Sequence, residues 1–506
     1  MPGGPGSGIH LMQTASSFPG WKPPQSERST DMSETITEST VHPAGAAAPA
    51  NPLGYESIPR LMLKFAVPSV VAMIINSIYN IVDQIFIGRG VGYLGNASTN
   101  IVVPLVTIVM ALGLMIGDGA AAYVALNLGI KREKDAAAGA GTAIITSAFV
   151  GIIMIILCEI FAKPLFLFFG ATETIMPYAL TYGRVIIAGF LFCSFSCSVS
   201  GIIRADGRPR HSMAGMIMGC VANMILDPLF IFVFHWGVFG AALATILGQG
   251  LTMCWFLICL RKMKTIPLTR ADLRIDLARL KKVCTLGLSS FFNQVASVVV
   301  IIIINRCIIN YGDLSVYGSD IALAVFGIVM KVNMIVMCIP IGISSGSAPI
   351  FSFNYSAGNF DRVKKTLKYA MIVSTAIMVV AFVIYRIFPR QIIGLFGSES
   401  ELYNQFGEIC FRIHTTACFL MPTSAVIGIF FQSIGKPVQS TIISLARQVL
   451  ILVPAALIFG ALFGLEGVLA AGPTGDAAAA VIAAVTLIVM WKKIFDPEVL
   501  KQKNFT

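Results

Sequence analysis

Charge is what this sequence has least of. Only 12% of its 506 residues are Asp, Glu, Lys or Arg and 56% are hydrophobic, whereas an ordinary soluble domain carries about a quarter of charged residues. So few charges cannot clothe a water-soluble globule, and the bilayer is the expected solvent. Acids are scarcer still, 25 against 36 Lys and Arg, for a net charge of +11. The 11 cysteines stand singly, without a close Cys/His ligand cluster, so they read as small packing residues rather than metal or redox groups. A phosphate-binding loop, a His-Glu-x-x-His helix and a nucleophile elbow are all missing. ATP hydrolysis and the common hydrolytic chemistries are thereby excluded, no cofactor is expected, and any transport must draw on an ion gradient.

Residues 1–55 lack periodic apolar residues and are rich in Pro, Gly, Ser, Thr and Ala. They are expected to form a disordered cytoplasmic tail. Met32 opens a more ordinary acidic leader, so the residues before it read as an addition or an over-extended start.

What remains is a succession of apolar segments long enough to cross a hydrocarbon core of ~30 Å. Twelve helices are expected, at 61–87, 97–126, 136–161, 177–203, 211–234, 238–260, 283–310, 320–350, 366–388, 404–432, 438–460 and 464–491. An even number puts both termini on one side. Of the 36 basic residues, 27 fall in the tails and loops of that side and five on the other, with Arg184, Lys331, Arg412 and Arg447 inside spans. The positive-inside rule then makes both termini cytoplasmic, in a multi-pass membrane protein. The basic balance is topological and needs no nucleic acid.

The longest polar interruption, 263–282, separates 56–262 from 283–495, with a second tail at 496–506. The two halves repeat. Arg204, Ala205, Asp206, Gly207, Arg208, Pro209 correspond to Gln432, Ser433, Ile434, Gly435, Lys436, Pro437. Gly237 and Gly240 correspond to Gly464 and Gly467, and Phe168, Phe169, Gly170 to Leu395, Phe396, Gly397. Six spans per half make the repeats parallel, and two six-helix lobes with a cleft between them are the expected architecture.

An acid at mid-membrane costs roughly 2.5–3.5 kcal/mol on insertion scales, so each one demands a reason. Asp83 follows Asn76, Tyr79 and Asn80 in the first span; Asp227 stands four residues after Asn223 in the fifth, on one helix face. Thr245 lies in the small-residue run of the sixth, after Ala241. Two carboxylates, an amide oxygen and a hydroxyl suit a hard cation or a held proton. The competing structural reading is that Asp83 caps or snorkels at the membrane surface and that Asp227 and Pro228 only end a helix. In the second half, Arg447 and Asp476 are the lone base and acid of the last two spans, either a packing pair or a substrate site. Glu408 and Arg412 are spaced to satisfy each other, and His414 reads as a packing histidine.

Four stretches carry a family resemblance: Ser57, Ile58, Pro59; Tyr79 through Gly88; Asn223 through Ile231; and Gly237 through Thr245. Over about residues 52 to 495 the chain resembles the multidrug and toxic compound extrusion (MATE) transporters, in particular the MepA-like bacterial branch. That resemblance implies twelve helices in two lobes, a monomer that exports organic cations or drugs by alternating access, a link to antibiotic resistance, and antiport with Na⁺ or H⁺. It also implies a coupling-cation site at Asp83, Asn223, Asp227 and Thr245, with the Ala241 carbonyl as a further ligand, and a bend of the first helix at Pro68. Tyr79, Asn80, Gln249, Asn293 and Gln294 are the residues expected to reach the substrate cavity. The chain departs from the branch at Ser345 and Ala348, where glutamines are usual, and at Ser356, where Gly is usual. A flippase for a lipid-linked precursor needs a cationic cavity, which the few intramembrane Arg and Lys do not supply; a channel or intramembrane enzyme is disfavoured by the duplicated lobes.

Overall fold

The computed structural model describes residues 52–263, 265–266, 268–395 and 400–496. Most of both expected tails, and Phe396 and Gly397 of the repeat, lie outside the described residues. The spanning helices are α1 (Ile58–Gly90), α2 (Leu94–Gly129), α3 (Glu133–Ile160), α4 (Met176–Ala188 and Phe190–Ala205, bent by 46° between them), α5 (Pro209–Val233), α6 (Gly237–Arg261), α7 (Leu277–Asp313), α8 (Gly318–Ser356), α9 (Phe360–Ile387) and α10 (Glu401–Ser433). The last segment, Pro437–Ile494, has 58 residues, more than twice the ~20 a crossing needs. It is divided at Gly464, whose φ of 65° and ψ of −142° are not helical, into α11 (437–463) and α12 (464–494). Among the described residues, twelve spans result once the bent pair is counted as one span and the last segment as two.

Local chemistry sets the starts. Proline occupies the first turn of α1, α4, α5 and α11, where its missing N–H costs nothing. Asp276 caps α7, accepting from the N–H groups of Ala278 at 2.9 Å and Arg279 at 3.1 Å. This cap corrects the expected linker: α7 begins at Leu277 rather than 283, because a helix continues past the hydrocarbon and carries Arg279, Lys281 and Lys282 outside it. The first boundary also moves. Pro52–Tyr55 is a helical turn with Leu53 buried, and Asn354 Nδ2 and Arg362 Nη2 each donate to the Leu53 carbonyl at 3.0 Å. These residues belong to the packed body rather than to a tail.

The repeat is visible in the backbone. Left-handed residues occur at Gly92 and Gly318, at Lys131 and Gly358, at Gly207 and Gly435, and at Gly237 and Gly464. Each pair is separated by 226 to 228 residues. The same turn closes the same loop in both halves, and six-helix lobes follow.

The lobes meet at the end that carries the basic loops. There α2 crosses α7 and α1 crosses α8 with almost no side chain between them. A Cβ on Gly287 would stand 1.7 Å from the Met115 carbonyl oxygen, and one on Gly119 would stand 2.0 Å from that of Val283. Gly346 lies against Phe65 and Ala66, and Gly342 against Val70. Such close approach needs glycine, as small-residue interfaces in membranes do. Farther along α1 the last hydrogen-bonded contact with α8 is Ser77 to Cys338, at 2.9 Å. Asn80, one turn beyond, is exposed.

Candidate functional site

Asp83 sits late in α1 and Asp227 at the end of α5, one residue before Pro228 and the π-helical turn Leu229–Val233. A π turn shifts the helix face by a fraction of a turn, and such insertions recur at functional sites. Both carboxyls are buried, at 7% and 0% exposure, and they lie within hydrogen-bonding reach of each other. One oxygen of Asp83 has no hydrogen-bond partner in the protein. Asn223 is buried between Asp227 and Thr245 and satisfies both in one orientation of its amide. Its nitrogen donates to Asp227 at 2.7 Å and its oxygen accepts the Thr245 N–H at 3.0 Å. The Thr245 hydroxyl donates to the Ala241 carbonyl at 3.1 Å. Tyr79 lies close to Thr245 and to both acids.

The first helix and the consecutive pair α5 and α6, more than a hundred residues later, thus bring together Asp83, Asn223, Asp227, Thr245, Ala241 and Tyr79. The donor set is entirely oxygen, with one unsatisfied carboxylate oxygen, which suits a hard cation or a shared proton. Among the described residues there is no group of three or more His, Cys, Asp or Glu that could hold a metal ion. Pro68 lies inside the uninterrupted helix α1, about four turns before Asp83. Asn80 turns back on its own helix, donating to the Asn76 carbonyl at 2.7 Å. Gln249, on α6, is not among the groups that touch the acids.

The second half gathers a different set. Arg447, in the π-helical segment Ala446–Leu452 of α11, donates from Nε to Asp476 at 2.8 Å. Gln448 donates to Asn293 of α7 and accepts from Ser297 at 3.2 Å; Gln294 takes no part in that chain. Glu408 is shared by Arg412 and Arg390, each at 3.9 Å.

The sequence reading missed three residues. Tyr182 of α4 is buried beside Asp83, Tyr79 and Asp227; it carries no signal in a run of apolar residues. Asp118, in α2, is an intramembrane acid to which the insertion-cost argument applied equally, and a charge-free run ends on it. Arg204 counts above among the loop cations, but it belongs to the last turn of α4. Its side chain is only 16% exposed and pairs with Asp118 at 3.6 Å. The helix runs past the last apolar residue, which a count by charge does not see. Ser345 and Ala348 line a small cavity of about 40 Å³ beside this pair.

An all-helical membrane protein with two pseudo-symmetric six-helix lobes, and charged groups buried in each, is built as a transporter rather than as an enzyme. The MatE family model matches residues 68–229 and 290–458, and the chain belongs to that family. It is 24% identical over 418 residues to the multidrug export protein MepA of Staphylococcus haemolyticus, with 82% of this chain and 89% of that protein covered. The MepA of Staphylococcus aureus (strain MSSA476) is likewise 24% identical, over 81% of this chain and 89% of its own. Among solved structures, the outward-facing conformation of a multidrug resistance MATE family transporter superposes with a TM-score of 0.81 at 24% identity, covering 89% of this chain and 98% of that one. A MATE structure in complex with MaL6 gives 0.82 at 24% identity, over 89% and 99%.

Proposed function

We propose that the protein exports cationic or amphipathic organic compounds from the cytoplasm by alternating access, as a monomer, in antiport with Na⁺ or H⁺ bound at Asp83 and Asp227. One observation carries this reading: two buried carboxyls within hydrogen-bonding reach of each other, with no basic side chain among their partners. Two such groups cannot both remain ionised in a low-dielectric interior, so a proton or a cation accompanies the pair whenever the site is closed to water. For Na⁺ the ligands are the free Asp83 oxygen, Asp227, the Thr245 hydroxyl and, with its amide turned, Asn223. For H⁺ the two acids suffice. Entry of the ion from outside and competition by a cationic substrate for the same negative charge then link import of one to export of the other. The MepA relatives are multidrug export proteins, and drug export extends to this chain as part of the proposal. Both termini and the loop after α6 are cytoplasmic in this reading, because the basic loops share that side.

The experiment is dye efflux in inverted vesicles under a fixed pH gradient, with and without Na⁺. Asp227→Asn and Asp83→Asn are each expected to abolish gradient-driven efflux at undiminished protein level. Wild-type efflux from either variant removes that residue from the mechanism.

A further inference from the structure

A second charged group lies far from the acid pair, where the lobes close on each other. Asp118 of α2 and Arg204 of α4 belong to the first lobe and pair at 3.6 Å, an ion pair without a hydrogen bond. Arg204 is held in place by its own helix, donating to Ser200 Oγ at 3.2 Å. The other oxygen of Asp118 reaches across the lobe boundary and accepts the hydroxyl of Ser290, on α7, at 2.8 Å. Ser290 in turn accepts from the amide of Gln432, on α10, at 3.1 Å. The chain Arg204, Asp118, Ser290, Gln432 therefore begins in one lobe and ends in the other. Gln432 is also the residue that the internal repeat aligns with Arg204, so the two lobes present equivalent positions to one central acid.

The surroundings make this contact consequential. It lies beside the glycine seam, within one turn of Gly119 against Val283 and of Gly287 against Met115. Those contacts are close backbone-to-backbone approaches without directional side-chain bonds. A hydrogen bond to a carboxylate is strong, directional and lost beyond about 3.5 Å. The Asp118 to Ser290 bond joins α2 to α7 beside the glycine seam, and Arg279 of α7 pairs with Asp135 of the first lobe at 3.0 Å nearer the loops.

We infer that Asp118 is a positioning residue of the transport cycle, which locks the lobes together at the basic-loop end through Ser290 and Gln432 and must let go each time the protein opens there. Arg204 holds the carboxylate aimed at the boundary and compensates its charge when the lobes part, so that release exposes an ion pair rather than a bare acid. This rests on the alternating-access part of the function proposed above, and not on the identity or the site of the coupling ion.

The test reads geometry rather than transport. Genetically encoded spin labels, which spare the 11 cysteines, are placed at Lys134 and Lys365, exposed residues of opposite lobes at the basic end. Distances are measured by double electron-electron resonance on the full chain in nanodiscs. Asp118→Ala is expected to raise the ratio of open to closed molecules about tenfold, the effect of losing one charge-assisted bond. Ser290→Ala, which leaves the ion pair and the fold of the first lobe intact, should shift it in the same direction by about half as much on a logarithmic scale. Asp118→Glu should restore the closed distance. Should Asp118→Ala misfold, Ser290→Ala alone decides. Unchanged distance distributions in folded Ser290→Ala would overturn the inference, as would an open shift in Asp118→Glu equal to that of Asp118→Ala. Efflux indifferent to Asp83→Asn and Asp227→Asn would sink the coupling reading and leave this measurement standing.

Discussion

The two lobes are copies of one backbone plan that bury opposite kinds of charge pair. In the first, Asp83 and Asp227 are like charges with no basic partner; in the second, Arg447 and Asp476 compensate each other at 2.8 Å. Each pair involves a π-helical stretch, at Leu229–Val233 in α5 and Ala446–Leu452 in α11. The same irregularity in the same scaffold thus serves two ends. A self-neutralised pair asks nothing of the solvent and can fasten helices, whereas a pair of acids needs an ion from outside. In the function proposed above, it is the first lobe that has a physical reason to change state with an ion gradient.

The comparison breaks first at Asp227. Its replacement by Asn should cost all gradient-driven efflux, at least about a hundredfold, because the need for an external cation disappears with one charge; a vesicle assay with measured protein content decides. In the second lobe the same kind of change should act on stability instead. Asp476→Asn strands Arg447 and should cost about 3 kcal/mol, while the double variant Arg447→Leu with Asp476→Leu should recover most of it and retain efflux. Thermal melting in detergent, with efflux alongside, checks both halves of that statement. If the double variant melts normally but transports nothing, the second lobe is not merely fastened and the contrast between the lobes fails.

A smaller effect sharpens the ion identity. Thr245→Ala removes a hydroxyl ligand but no charge, so it should lower efflux severalfold if Na⁺ is the ion and less than about twofold if a shared proton is; the Na⁺ dependence of the initial rate is the readout. A loop offers the smallest effect. Asp276 is an exposed cap whose carboxyl is held below the usual range, chiefly by the Arg279 N–H. Because its folded value is depressed, its contribution to stability is present above the ordinary carboxylate value and fades as the pH falls through the depressed one. The melting temperature of the wild type should therefore approach that of Asp276→Ala at acid pH and exceed it slightly at neutral pH.

What the sequence determined alone is the membrane class, the spans, the internal repeat and the presence of Asp83, Asp227 and Asp476 in apolar segments. These follow from local quantities: about 20 apolar residues per crossing, a turn glycine at a fixed offset, an insertion cost paid residue by residue. Helix ends were misplaced where helices run on past the hydrocarbon, as at Leu277 and Arg204. Which acid meets which partner was decided only by packing. Asn223 and Asp227 share a face by spacing, but Asp83 reaches Asp227 through the crossing of α1 and α5, and Tyr182 joins them from α4. Asp118 looked no different in sequence from other acids of the spans. It became a partner of Arg204 and Ser290 because glycines let α2 and α7 approach to backbone contact, and no local pattern encodes which two helices will do so.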